Sequence, residues 1–162
     1  MEITLTYTDL AATVKRSLSI IGKRSVDADG NLLFKDVTLG TLEEPILHDF
    51  FLLAVTDITT EAESFVTASA DESVTLSFPS NHNDALEKVI SDACKGYCVS
   101  YALYSWFQVV APRLVEKYLG DCRRLMGSLV RLVNQKKPPT TPQADSADIS
   151  PLSATTTITS NS

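Results

Sequence analysis

Residues that usually carry catalysis or bind phosphate and metals are scarce in this 162-residue sequence. It has six glycines and two histidines, and it contains no glycine-rich phosphate loop, HExxH or CxxC motif. His48 precedes Asp49 on a predicted helix, where adjacent residues do not face each other, and His82 is interpreted as part of a helix cap. We therefore expect no enzyme, no metal and no cofactor. A small enzyme with a dispersed site is the third-ranked hypothesis, without positive support.

Cysteines are also few, and their number is odd. Cys94, Cys98 and Cys122 do not form the dense pattern of a secreted disulfide scaffold. Cys94 and Cys98 would share a helix face, but no histidine or third cysteine lies nearby in the sequence to complete a metal site. We interpret the three as small apolar core residues, and we expect a reducing, cytoplasmic folding environment without a signal peptide.

Long hydrophobic runs are missing as well. The longest uncharged stretch extends from Gly96 to Pro112 and includes three tyrosines, two serines and a glutamine. It is too short and too polar to span a membrane, so we expect no membrane association. The stretch instead predicts a deeply buried helix.

What the sequence does contain is the composition of an ordinary globular domain, with 44% hydrophobic and 21% charged residues. Apolar residues recur at helical spacing, and Thr6 or Thr8 can cap the first helix, which Gly22 is expected to end. The fold class is predicted to be mainly α, with a small two- or three-stranded β element. The four predicted helices cover roughly residues 7–21, 42–67, 82–110 and 112–135.

The predicted β element is centred on residues 73–78, where polar and apolar residues alternate before Pro79. Residues 31–34 or 37–39 are its expected partners. The preceding Asp27-Ala28-Asp29-Gly30-Asn31 segment predicts a tight turn. A calcium loop is disfavoured, because Leu32 and Thr38 stand where such a loop needs glycine and glutamate.

Domain organisation follows from a change in composition. Residues 1–137 are predicted to form one helix-rich globular domain. Residues 138–162 form a low-complexity tail that is rich in threonine, serine and proline and has no aromatic residue. Such a tail cannot bury enough apolar surface to fold alone, so we expect a neighbouring chain to hold it.

Charge is distributed unevenly along the chain. The net charge is -6, composed of -9 over residues 1–111, +5 over residues 112–137 and -2 over the tail. Helical counting places four cations of the last helix within a sector ~40° wide. They are Arg113, Lys117, Arg124 and Arg131, and Lys136 and Lys137 follow the helix. The row is either a solvated helix face or a contact for an acidic subunit surface or nucleic-acid phosphate.

Trp106 is the other unusual residue. Helical counting directs it roughly 180° away from the face formed by residues 86–104. Two interpretations stay open: a second buried face of a central helix, or an anchor in a protein interface.

Several segments resemble small virion proteins from tailed phages of gut bacteria. The segments are VTLSFPSNHND from Val74, YCVSYALYSWFQVVAPRLVEKYLGDCRRLMGSLVRLVNQKKPP from Tyr97, MEITLTYTDL at the start, and ADGNLLF from Ala28. The resemblance covers most of residues 1–139, and the Thr/Ser/Pro tail departs from it. It rests on a pattern of aromatics, helices and a basic end.

The resemblance implies a non-enzymatic head–tail connector, a neck or adaptor subunit that assembles as a homo-oligomeric ring below the portal. Its implied partners are the portal, other neck or tail proteins, and DNA in the lumen. Its implied location is the virion, after assembly in the bacterial host cytoplasm. The alternative function is a nucleic-acid-binding regulator that uses the basic last helix. The overall negative charge and the lack of a helix-turn-helix signature speak against that alternative.

Overall fold

Helices dominate the part of the chain that the computed structural model describes, which comprises residues 1–24, 40, 43–78 and 84–135. Within it are four α-helices and three strands, so the predicted mainly α class with a small β element is confirmed. In chain order these are β1 (Glu2–Thr6), α1 (Tyr7–Arg24), α2 (Glu44–Glu61), β2 (Phe65–Ala70), β3 (Ser73–Ser77), α3 (Glu87–Val110) and α4 (Val115–Val133). One-turn 3-10 helices precede α3 and α4, at Asp84–Leu86 and Pro112–Leu114.

The sheet is antiparallel with the strand order β1-β3-β2. Its central strand β3 is the strand predicted from alternation, and its buried residues Val74 and Leu76 lie opposite Leu5 and Ile3 of β1. The partners differ from the expected ones, because β1 and β2 flank β3. The predicted partners at 31–34 and 37–39, and the turn at 27–31, lie outside the described residues.

The second helix is shorter than predicted. It was expected over residues 42–67, but α2 ends at Glu61 and residues 65–67 belong to β2. Glu63 adopts a left-handed backbone conformation with φ of 50°, which no α-helix accommodates. Phe65 fits the helical spacing, but β2 pairs with β3, and this non-local pairing decides the conformation. The first helix, by contrast, is longer than predicted, because α1 continues through Gly22 to Arg24.

The centre of the fold is α3, which packs against α1, α2, α4 and β1. Its 24 residues include the fully buried Ile90, Cys94 and Phe107. One core cluster joins α3 to the sheet, α2 and α4, and a second joins the later half of α3 to α1 and Tyr118. The third helix is therefore central, as predicted, but it is not buried throughout, because Gln108 and Val109 near its end are exposed.

Trp106 belongs to the second cluster. Its side chain is only 8% exposed, and it shares that cluster with Val14 and Leu18 of α1. Of the two interpretations of Trp106, its burial agrees with the second buried face of a central helix. The indole is therefore not presented on the surface as an anchor.

Candidate interaction surfaces

The basic residues of α4 form the first candidate surface. Lys117, Arg124 and Arg131 are all exposed and follow one another at intervals of seven residues. Seven residues are nearly two helical turns, so neighbouring cations of this basic face are about 10 Å apart along the axis. Arg113 is also exposed but lies in the 3-10 turn before α4, while Lys136 and Lys137 lie outside the described residues.

Local contacts hold these cations along the helix surface. Arg124 donates a hydrogen bond of 3.0 Å to the carboxylate of Asp121, and Arg131 approaches the Ser128 hydroxyl at 3.4 Å. The Lys117 ammonium lies 5.1 Å from the centre of the Tyr118 ring. The pairing with Asp121 offsets part of the charge at the middle of the basic face.

The edge strand β2 is the second candidate surface. All six of its residues are exposed, including Phe65 at 70% and Val66 at 48%. Only β3 pairs with it among the described residues, so its other edge faces away from the sheet. An exposed edge strand that carries large apolar side chains is a template for pairing with another chain.

A groove between α2 and α4, with α3 as its floor, is the third candidate surface. Its volume is about 620 Å³. We call it the tyrosine groove, because three tyrosines of α3 contribute to its lining. These are Tyr97, Tyr101 and Tyr104. Their rings follow one another at centroid distances of 6.0 and 6.2 Å. The sequence places these tyrosines in a stretch that predicts a deeply buried helix, which gives no indication of a groove.

The two walls of the tyrosine groove differ in chemistry. On the α2 side lie Asp57 and Glu61, and on the α4 side Arg123, Met126 and Val130. Tyr97 donates a hydrogen bond of 2.9 Å to the Asp57 carboxylate. Burial, and then this contact with Asp57, hold the pKa of Tyr97 well above its ordinary value, so its hydroxyl stays a donor.

All three cysteines are buried free thiols, as predicted. Burial raises the pKa of Cys94 and of Cys122 to about 12, and it raises that of Cys98 as well. A thiol with so high a pKa is a poor nucleophile because little thiolate forms near neutral pH. The cysteines are therefore inert core residues in the folded protein.

In the described part of the chain, His48 contacts a backbone carbonyl and aromatic rings. The Nε2 atom of His48 lies 2.9 Å from the Asp71 carbonyl oxygen, and the ring packs edge-on against Tyr7. His82 lies outside the described residues. Across residues 1–24, 40, 43–78 and 84–135, no three histidine, cysteine or acidic side chains gather as a metal site would require.

Comparison with known proteins does not assign the chain to a family. No protein-family model matches the sequence, and no curated protein or solved structure is significantly similar to it. In the described ranges, no helix is both long enough and apolar enough to cross a membrane.

Proposed function

We propose that this protein is a non-enzymatic structural subunit of a tailed-phage virion, namely a head–tail connector that assembles as a homo-oligomeric ring below the portal. The resemblance of most of residues 1–139 to small phage virion proteins suggests this role. The exposed β2 strand is the observation that carries it, because among the described residues no strand pairs with its outer edge, and such an edge is a template for pairing with another chain.

The β2 strand provides the contact that a ring needs. Its exposed Phe65 and Val66 offer apolar area, and its outer edge offers backbone hydrogen-bonding groups to a strand of the next protomer. A contact between two different surfaces of the same chain closes into a ring when the rotation between protomers divides a full turn. The proposal therefore places β2 on one side of each protomer interface.

Charge supports the same arrangement. The basic face of α4 belongs to a segment of net charge +5, whereas residues 1–111 carry -9. Basic and acidic surfaces of successive protomers attract each other and fix their orientation. The α4 cations that are not used in this way would face DNA in the lumen or the portal and other neck and tail proteins.

Sedimentation over a range of protein concentrations tests the proposal, together with detection of the protein in purified particles. We expect a discrete ring and a virion location. Replacing Val66 by lysine should raise the concentration needed for assembly about tenfold, which corresponds to about 1.4 kcal/mol. Val89→Lys is the matched control, because Val89 is also 48% exposed but lies on α3.

Two results would reject this function. One is a strict monomer at every concentration that is also absent from particles. The other is equal weakening of assembly by the Val66 and Val89 variants, because that would separate assembly from the β2 edge.

The alternative is a nucleic-acid-binding regulator, favoured by the three exposed cations on one face of α4. In that case the protein binds duplex DNA with an affinity that depends strongly on salt. Each lost phosphate contact should reduce the slope of log binding constant against log salt concentration by about 0.9. Charge reversal at both Arg124 and Arg131 should then abolish binding. Absence of binding by the wild-type protein at low salt would reject the alternative.

A further inference from the structure

The tyrosine groove has the chemistry of a site for proline-rich chain. Tyr101 and Tyr104 are half-buried, so they present ring surface to the groove. Aromatic-lined grooves bind polyproline II segments, because that helix is preformed and leaves its backbone carbonyls free to accept hydrogen bonds. Tyrosine hydroxyls in a groove are suitable donors for those carbonyls.

A proline-rich segment of the same chain follows α4, which forms one wall of the groove, after a few residues of sequence. The sequence Pro138-Pro139-Thr140-Thr141-Pro142 follows shortly after the end of α4 at Val133. Val130, at one end of the groove lining, precedes Val133 by three residues, which is about 4.5 Å along the helix axis. Asn134 and Gln135 close the end of α4, since their backbone N–H groups donate to the Val130 and Leu132 carbonyls. The three residues from Gln135 to Pro138 can span up to about 10 Å, whereas Val130 lies about 7.5 Å back along the helix axis from Gln135.

The length of the groove matches the length of the segment. The α4 wall extends from Val130 to Leu119, which is about 16 Å of helix. Five residues in polyproline II conformation also cover about 16 Å. A segment that enters at Val130 and lies antiparallel to α4 would therefore contact the row of tyrosines and end near Leu119.

Charge favours the same direction of entry. Lys136 and Lys137 directly precede the prolines, and the α2 wall of the groove carries Asp57 and Glu61. Like-charge repulsion would instead arise if an acidic segment, such as the region around Asp145, approached that wall. We infer that residues 138–142 dock in the tyrosine groove of their own chain, antiparallel to α4. This inference does not depend on the ring proposed above.

Photo-cross-linking in the full-length chain tests the inference. A p-benzoylphenylalanine at Thr141 should cross-link within one chain to the tryptic peptide 125–131, which contains the groove residue Met126. Mixing isotopically labelled with unlabelled protein separates products within a chain from products between chains. The same photo-reactive residue at Asn161 serves as the positional control.

Two glycines of α4 provide a matched pair of variants. A Cβ at Gly127 or at Gly120 would meet no atom within 4 Å, so both positions accept a side chain. Only Gly127 lines the tyrosine groove. Gly127→Leu should lower the cross-link yield about tenfold, whereas Gly120→Leu should leave it unchanged.

Circular dichroism verifies that both leucine variants keep their helical content. If Gly127→Leu fails to fold, replacing Pro138, Pro139 and Pro142 together by serine removes the ligand and leaves the groove intact, and it should reduce the yield equally. Absence of the 125–131 product would overturn the inference, as would a yield insensitive to these changes. Products found only between labelled and unlabelled chains would also overturn docking within one chain.

Discussion

The Tyr97 hydroxyl of α3 donates a 2.9 Å hydrogen bond to the Asp57 carboxylate of α2. It joins two helices across the base of the tyrosine groove. The bond has a charged acceptor and is partly screened from water, which places its contribution above that of an exposed polar contact.

Replacing Tyr97 by phenylalanine tests the value of that bond. The variant keeps the ring and removes the donor, so the free energy of unfolding should fall by about 1–2 kcal/mol. Urea unfolding measures the change. Tyr104→Phe, in the same row of rings, leaves the Asp57 contact in place and should cost less; an equal loss in both variants would contradict the assignment.

Phe107 supplies the sharpest prediction about packing. It is fully buried and stacks on Tyr118 at a centroid distance of 5.1 Å. Phe107→Ala should destabilise the protein by about 3–5 kcal/mol because a cavity replaces the ring. Val109→Ala, two residues away on the same helix but 76% exposed, should change stability by less than about 0.5 kcal/mol. Thermal or urea unfolding distinguishes the two.

Thiol labelling tests the burial of the cysteines. Near pH 8 an aromatic disulfide reagent should react with none of the three native thiols except through unfolding, since burial keeps the pKa of Cys94 and Cys122 at about 12. An added cysteine at the exposed Gln108 should react at once and shows that the reagent is active. Rapid reaction of an original thiol in folded protein would contradict the prediction.

Stability should decrease at alkaline pH. Folding raises the pKa of the buried Cys94 thiol from 9.0 to about 12, so above pH 9 the unfolded chain releases a proton that the folded chain retains. The free energy of unfolding is unaffected below that pH and falls as the pH rises, by about 2 kcal/mol for this thiol at about pH 10.5. The raised pKa of Tyr97 adds to the decline above pH 10.

Urea unfolding at about pH 8 and about pH 10.5 measures this loss. The Cys94→Ala variant lacks the titrating thiol, and its stability should fall less between the two pH values. Equal losses of stability in the wild type and in Cys94→Ala, or no loss in the wild type, would contradict the raised pKa of Cys94.

Local patterns in the sequence were sufficient to predict α1, α3, α4 and β3. Apolar residues at helical spacing and strict alternation over residues 73–78 are signals confined to a few turns or one strand. Pro112 marked the boundary between the last two helices, because proline fits only the first turn of a helix. The positions of the basic residues along α4 followed from the same counting.

The tertiary structure decided what depends on residues far apart in the chain. The strand character of residues 2–6 and 65–70 comes from pairing with β3, and it overrides the helical spacing at Phe65. The tyrosine groove requires three helices, and the Asp121 contact of Arg124 requires side-chain conformations. Periodicity assigns residues to a face of one element, but only packing determines whether that face is covered by another element or left open.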